Sequence, residues 1–262
     1  MSDPSQESRA HQNAALSFVN DCLRYFGGLD QKVRVRQTNR GPWFILYGPI
    51  MQTVRFVKAA AVLTGDRHSL GAHVLARSAL EYAVTVQYAY LRADGLDRLE
   101  KSSAAHQLEL FERLAKWQHD ATYKDMAKRV ATPIGAKSMP PIMQILDVLD
   151  PEHIVLQSTY AVLSQISHVR AGSQHRFFEL VDGQVVLVPG RDDDRFAHVS
   201  TGALAIATMG VTWVYARLTE DAEMIAMLEA ASGRLDIPIR YDEDWSADER
   251  AHPDWPTRER RS

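Results

Sequence analysis

The stretch Ser69–Arg92, SLGAHVLARSALEYAVTVQYAYLR, decides the fold that we predict from this sequence. Apolar residues occur on every side of its helical circumference, a pattern typical of a buried helix. A narrow polar stripe nevertheless crosses it, because His73, Arg77 and Glu81 recur every four residues and therefore share one face. An arginine and a glutamate inside a buried helix need partners, since an unpaired buried charge is costly. We therefore expect a buried polar layer.

A second polar stripe is expected on the helix that runs from about Glu152 to Ser167. Tyr160, Ser164 and His168 stand four residues apart among apolar neighbours. Two helices that each bury a polar ridge satisfy those groups best when the ridges meet. The predicted layer therefore joins two sets of side chains, namely His73, Arg77 and Glu81 on one helix and Tyr160, Ser164 and His168 on the other. It has two interpretations: a satisfied structural network, or acid–base chemistry built on an imidazole, a hydroxyl, a carboxylate and a guanidinium.

The rest of the chain predicts an all-α, multi-helix bundle with a small β-hairpin. Of its 262 residues 45% are hydrophobic, and apolar residues recur at helical spacing through residues 9–233, which we interpret as one helical domain. The Asp-Gly pair at Asp182 predicts the turn of a hairpin over 177–188. Residues 1–8 are expected to be disordered, and 234–262 an extended C-terminal tail, because neither shows periodicity.

Two residues are expected to mark helix boundaries. Pro49 suits the first turn of a helix, because proline lacks the N–H that would be unpaired there. Gly95 is expected to end the helix that begins at Ser69.

Composition narrows the classes of function. The net charge is -3, so no overall basic field indicates nucleic acid, and Cys22 is the only cysteine, which fits a reducing cytoplasm. The polar N-terminus carries no apolar signal core, so we expect a cytoplasmic location. The apolar run 199–216 is interpreted as a core helix and not as a membrane span. No cofactor motif is present, and no metal is expected, since Asp192–Asp194 fits a helix cap better than a cation site.

One short segment could touch a phosphate backbone. Lys32, Arg34 and Arg36 alternate with valines, so in an extended strand all three basic groups would share one face. They are candidate RNA contacts. The alternative is a solvated loop or an edge whose charges are paired with acids.

Two motifs resemble a bacterial all-α family of unknown function. Arg77-Ser78-Ala79-Leu80-Glu81 is similar to its Arg-Ser-x-x-Glu helix, and the segment Tyr160–His168 is similar to its Tyr-x-x-Leu-Ser-x-x-x-His helix. The resemblance covers roughly residues 49–218. It implies an all-α fold and supplies no reaction.

A further motif resembles the HEPN ribonucleases, which are helical, usually dimeric, metal-independent enzymes of toxin and phage-defence systems. Arg170 and His175 fit their Arg-x4–6-His signature. The resemblance implies that Arg170 stabilises phosphate charge and His175 transfers a proton, while the RNA's own 2′-hydroxyl attacks. His168 is a further catalytic candidate beside them. A homodimer is implied by the same resemblance.

The signature alone does not select one pair, because four pairs in the chain match it. Besides Arg170 and His175 they are Arg67–His73, Arg113–His119 and Arg191–His198. Two functions remain open. The first is a HEPN-like endoribonuclease or RNA-binding protein of a bacterial defence or toxin system. The alternative is a non-catalytic helical module whose polar layer is structural or binds a small ligand.

Overall fold

The computed structural model is an all-α, multi-helix bundle, as the apolar periodicity predicts. It describes residues 4–28, 33–65, 68–130, 135, 137–152, 155–167, 178–187 and 197–255. Within these residues the helices are α1 Pro4–Gly27, α2 Arg40–Gly65, α3 Ser69–Leu91, α4 Gly95–Gln118, α5 Ala121–Arg129, α6 Ile142–Leu149, α7 Leu156–Ser167, α8 Ala197–Thr219 and α9 Ala222–Leu235. A 3-10 turn, Gln37–Asn39, precedes α2.

Helix α8 is the centre of the bundle. Nearly all of its residues are apolar or small, so it can pack on every side, and it contacts α1, α2, α3, α7 and α9. By length and composition α8 could cross a membrane, but 89% of its most apolar window is buried inside the fold. That degree of burial is the behaviour of a core helix.

Helices α3 and α8 lie side by side and run parallel. Their contacts advance together along both chains, from His73 with Ser200 to Tyr90 with Trp213. The face of α3 opposite this interface is less buried than its composition predicts. Leu70, Val74 and Tyr82, which share one face of the helix, are each more than 40% exposed. The neighbouring helices therefore leave an apolar strip of α3 uncovered.

Several element boundaries differ from the sequence expectation. The first helix begins at Pro4, so residues 4–8, which were expected to be disordered, belong to α1. Pro49 lies inside α2 instead of at its start. The residue before a proline normally avoids helical geometry because its Cβ meets the ring, but Gly48 has no Cβ. The helix therefore continues through Pro49.

The hairpin forms where the Asp-Gly turn predicts it. Strands β1 Phe178–Val181 and β2 Gln184–Leu187 pair antiparallel, with Val181 opposite Gln184. Asp182 and Gly183 both have positive φ angles, 51° and 80°, which a two-residue turn of this kind requires. The four strand residues whose exposure is described, Val181, Gln184, Val185 and Val186, are all exposed, so this end of the hairpin is not packed into the helical core.

The prediction of an extended C-terminal tail is wrong about where the tail starts and about how it packs. Helix α9 continues through Gly233 to Leu235 and ends where Asp236 adopts a left-handed conformation, φ 53°. Residues 236–255 lack a helix, as expected, but they pack against the bundle. Ala251 donates a backbone hydrogen bond to Leu91, and Asp242 is fully buried. Tertiary contacts, not local periodicity, hold this C-terminal segment.

Candidate functional site

The three residues proposed from the HEPN resemblance lie outside the described part of the chain. His168, Arg170 and His175 fall in the segment between the end of α7 at Ser167 and the start of β1 at Phe178. Arg67 and Arg191, from two of the competing pairs, also lie outside it. The assignment of these residues therefore stays a prediction, and the site has to be built from the residues around that segment.

Three of the predicted polar-layer residues form a closed cluster between α3 and α7. Arg77 donates from Nε to Glu81 Oε1 at 3.1 Å and from Nη2 to the Tyr160 hydroxyl at 3.0 Å. The Tyr160 hydroxyl in turn donates to Glu81 Oε1 at 2.9 Å. The contact that we predicted between the two helical stripes is thus present. We call these three residues the Arg77 cluster.

The Arg77 cluster is neither sealed nor fully open. Tyr160 is buried, whereas the side chains of Arg77 and Glu81 are 22% and 34% exposed. Burial alone lowers the pKa of Arg77, but the hydrogen bond to Tyr160 and the charge of Glu81 outweigh it and raise that pKa. The Arg77 guanidinium also lies 5.2 Å from the centre of the Tyr160 ring, within the range of a cation–π contact. The cluster therefore presents a fixed, permanently charged guanidinium at the edge of the bundle.

His73 belongs to a different contact from the one predicted. Its Nδ1 is hydrogen-bonded to the Ser200 hydroxyl of α8, and both residues are at most 2% exposed. The single polar layer that the sequence predicts is therefore divided, with His73 directed to α8 and the Arg77 cluster directed to α7. The reason is geometric: successive residues four apart drift around a helix of 3.6 residues per turn, so one stripe can meet two neighbours.

Ser164 lies one helical turn beyond Tyr160 on α7. Its hydroxyl oxygen is buried and has no hydrogen-bond partner among the described residues. Buried polar groups are normally satisfied, so an unpaired hydroxyl beside a charged cluster is unusual.

The predicted basic ridge does not form a strand with the described residues. Residues 33–36 have no regular secondary structure, although the backbone of Arg36 is extended; Arg34 and Arg36 are exposed, while Lys32 lies outside the described residues. Arg36 pairs through Nε with Glu220 at 2.7 Å. For Arg36 the geometry therefore matches the alternative of an acid-paired edge.

Sequence reasoning missed a second cluster, which the C-terminal segment completes. Trp255 lies against Arg217 of α8 and Arg240, with guanidinium-to-ring distances of 4.7 and 5.3 Å. It also stacks on His252 at 4.0 Å between ring centres. The signal was present as alternating tryptophan and arginine residues after position 237, but without periodicity it could not be assigned to a packed structure.

Metal chemistry and known relatives give no further assignment. Among the described residues no group of three or more histidine, cysteine, aspartate or glutamate side chains is arranged to hold a metal ion. Comparison with protein-family models, with curated proteins and with solved structures gave no match.

Proposed function

We propose that this is a HEPN-like helical protein that acts on RNA without a metal ion, as an endoribonuclease or an RNA-binding protein of a bacterial defence or toxin system. The observation that carries the proposal is the Arg77 cluster. It sets a part-exposed guanidinium, a carboxylate and a phenol at the α3–α7 interface. Helix α7 carries Tyr160 and Ser164 and ends at Ser167, and the candidate catalytic residues His168, Arg170 and His175 follow it in the sequence.

The proposed reaction uses the RNA as its own nucleophile. The 2′-hydroxyl attacks the adjacent phosphorus and loses its proton to His175, while the bond to the 5′-oxygen breaks and that oxygen takes up a proton. The products are a 2′,3′-cyclic phosphate and a 5′-hydroxyl end. Arg170 stabilises the charge that develops on the phosphate oxygens. His168 is the second candidate for proton transfer.

The Arg77 cluster would act by positioning the substrate and not by proton transfer. Glu81 and Tyr160 hold the guanidinium of Arg77 in one orientation, so its charge is available at the surface with little loss of side-chain freedom. A phosphate of the RNA backbone is the natural partner of such a group. The proposal includes a cytoplasmic homodimer, with no membrane association.

The test is cleavage of a mixed RNA pool by purified protein in the presence of a metal chelator. Cleavage should persist with the chelator and should fail on DNA, which lacks the 2′-hydroxyl. His175→Ala should lower the rate by about 10²–10⁴-fold, the usual contribution of a positioned proton-transfer group. Arg170→Ala should lower it as well, without a change in melting temperature.

The matched control is His119→Ala, which breaks a competing signature pair at an exposed position that ends α4. It should cleave as the wild type does. His73→Ala is unsuitable as a neutral control, because His73 is buried and bonded to Ser200. Equal cleavage by wild type and His175→Ala would reject the assignment and direct attention to Arg67 and His73.

One observation favours the alternative of a non-catalytic module. Glu81 and Tyr160 already provide Arg77 with partners from within the protein, so the cluster could serve only to fix the register of α3 against α7. Arg77→Met separates the two functions. Under the RNA proposal, RNA cleavage or RNA binding weakens while the fold persists. Under the alternative, only the melting temperature changes.

A further inference from the structure

Two adjoining cavities lie between α8, α9 and the C-terminal segment. They are near the C-terminal end of α8 and away from the Arg77 cluster. Their volumes are about 400 and 510 Å³, within the range of sites for small molecules. Arg217 and Ile225 line both cavities, so the two cavities adjoin at these residues. We call the pair of cavities the Arg217 site.

Aromatic rings form much of this site. Trp213 meets Trp255 edge to face at 5.4 Å between ring centres, and Tyr90 meets Trp213 in the same way at 5.8 Å. His252 stacks on Trp255 with the two planes only 13° apart. These rings pack on one another, so the walls are formed before any ligand arrives.

Arg217 differs from the other arginines at this site. Arg36 is paired with Glu220, and Arg240 with Asp242 and Glu243, at 2.7, 3.4 and 3.7 Å. Within the described part of the chain no carboxylate lies within 4.0 Å of Arg217, and its Nε has no hydrogen-bond acceptor. Its contacts are with aromatic groups, namely the Trp255 ring and the Tyr90 hydroxyl. A part-buried guanidinium without a counter-charge favours an anion beside it.

The electrostatics separate the two cavities. Glu220 is the one acid among the described residues that line the smaller cavity, and Arg36 neutralises it. The larger cavity has three acids in its walls: Glu229 and Asp236, which are exposed, and Glu243, which pairs with Arg240. Burial lowers the pKa of His252, as do the charges of Arg217, Arg240 and Arg250, while Asp242 opposes them. The positive end of the site is therefore the smaller cavity.

We propose that the Arg217 site binds a metabolite-sized organic anion, with its carboxylate or phosphate group against Arg217 in the smaller cavity. The apolar or aromatic body of the ligand passes Ile225 and lies beside Trp213 in the larger cavity. Asn39 and His252, which line the smaller cavity, supply further polar contacts. This proposal does not depend on the proposed action on RNA, because the site shares no residue with the Arg77 cluster.

The experiment is calorimetric titration of the full chain with phenyl phosphate and with phenylacetate, which distinguish the two anionic groups. Inorganic phosphate and benzyl alcohol test the anion and the ring separately. We expect saturable binding of at least one ring-bearing anion at millimolar concentration. Its affinity should exceed those of inorganic phosphate and benzyl alcohol, because only it occupies both cavities.

Two variants and one control connect binding to the site. Arg217→Gln should weaken binding about tenfold or more, which corresponds to about 1.4 kcal/mol. Ile225→Trp should fill the space where the cavities adjoin. It should weaken binding of the ring-bearing anion and leave the affinity for inorganic phosphate unchanged. This variant tests the site even if Arg217→Gln fails to fold. Arg234→Gln removes an exposed arginine of α9 and should bind as the wild type does. The proposal is overturned if neither anion binds saturably, or if Arg217→Gln and Ile225→Trp both bind the ring-bearing anion with the affinity of the wild type.

Discussion

At the scale of single residues, the degree of burial decides what the Arg77 cluster contributes to stability. A fully buried ion pair costs about 3–5 kcal/mol when one partner is removed, because the other charge is left without water or counter-ion. Arg77 and Glu81 keep 22% and 34% of their side-chain surface exposed, so water can partly replace a lost partner. The cluster should therefore contribute less to the free energy of unfolding than a sealed ion pair does, and more than a surface ion pair does.

Glu81→Ala should lower the free energy of unfolding by about 1–3 kcal/mol, the usual cost of losing hydrogen bonds to a charged group. Tyr160→Phe should also be destabilising, since both charged groups lose the hydroxyl that joins them. Because the residues share one network, the double variant should cost less than the sum of the two single variants. Urea unfolding of the four proteins measures this directly.

The control is Glu109→Ala on α4. Glu109 and Arg113 have the same four-residue spacing, but their side chains are 55% and 76% exposed. Such surface pairs contribute little, and we expect a change within about 0.5 kcal/mol. If the Glu81 and Glu109 variants lost equal stability, the Arg77 cluster would be no more than a surface contact.

At the scale of elements, the junction of α3 and α4 is set by close backbone contact. Helix α3 ends at Leu91 and Gly95 begins α4, so Gly95 does not end α3 as expected. A Cβ at this position would lie 2.6 Å from the Ala89 carbonyl oxygen and 2.8 Å from that of Tyr88. Glycine is needed here because α4 leaves the end of α3 against its backbone.

Gly95→Ala should destabilise the protein by about 1–3 kcal/mol, as overpacking does, because the obstacle is backbone and not a movable side chain. Gly202→Ala is the opposite case. Gly202 lies inside α8, and an added Cβ meets no atom within 4 Å. We expect that change to stabilise the protein by about 0.4–1 kcal/mol. Thermal melts of both variants give the two signs, and a stable Gly95→Ala protein would contradict the observed junction.

At the scale of the whole molecule, the core should be sensitive to alkali. Burial raises the pKa of the Cys22 thiol from 9.0 to about 12 and that of Tyr215 from 10.0 to about 12. Burial and the hydrogen bond to Asp221 also raise the pKa of Tyr25. The folded protein therefore keeps protons that the unfolded chain loses. Stability should be complete below about pH 9 and should fall as the pH rises towards 12.

Urea unfolding at pH 7, 9 and 11 tests this expectation. The free energy of unfolding should be similar at the first two values and lower at the third. Cys22→Ala should reduce the decrease between pH 9 and pH 11, because the variant has no thiol to ionise. Tyr123→Phe removes a phenol from α5, and the free energy of unfolding of this variant should fall between pH 9 and pH 11 as that of the wild type does. An unfolding free energy that stays constant to pH 11 would show that these groups do not govern alkaline stability.

The candidate site could be predicted only in part. The four-residue spacing of Arg77, Glu81 and Tyr160 on their helices indicated that they would meet, because spacing and burial together demand partners. The same reasoning placed His73 with them, whereas it bonds to Ser200. Spacing determines the face of a helix on which a side chain lies, but it does not specify which neighbouring helix covers that face.

Local pattern was sufficient for the helical class of the fold and for the Asp-Gly turn, because each depends on the backbone preferences of a few adjacent residues. It failed for the segment after Asp236, whose order depends on contacts with residues far away in the chain. Gln87 donates to the Ile239 carbonyl, Trp255 meets Arg217, and Ala251 bonds to Leu91. Those contacts exist only after the bundle has formed, because non-local packing supplies them. For the same reason, the alternating tryptophan and arginine residues after position 237 did not by themselves indicate the Arg217 site, whose other residues come from α8 and α9.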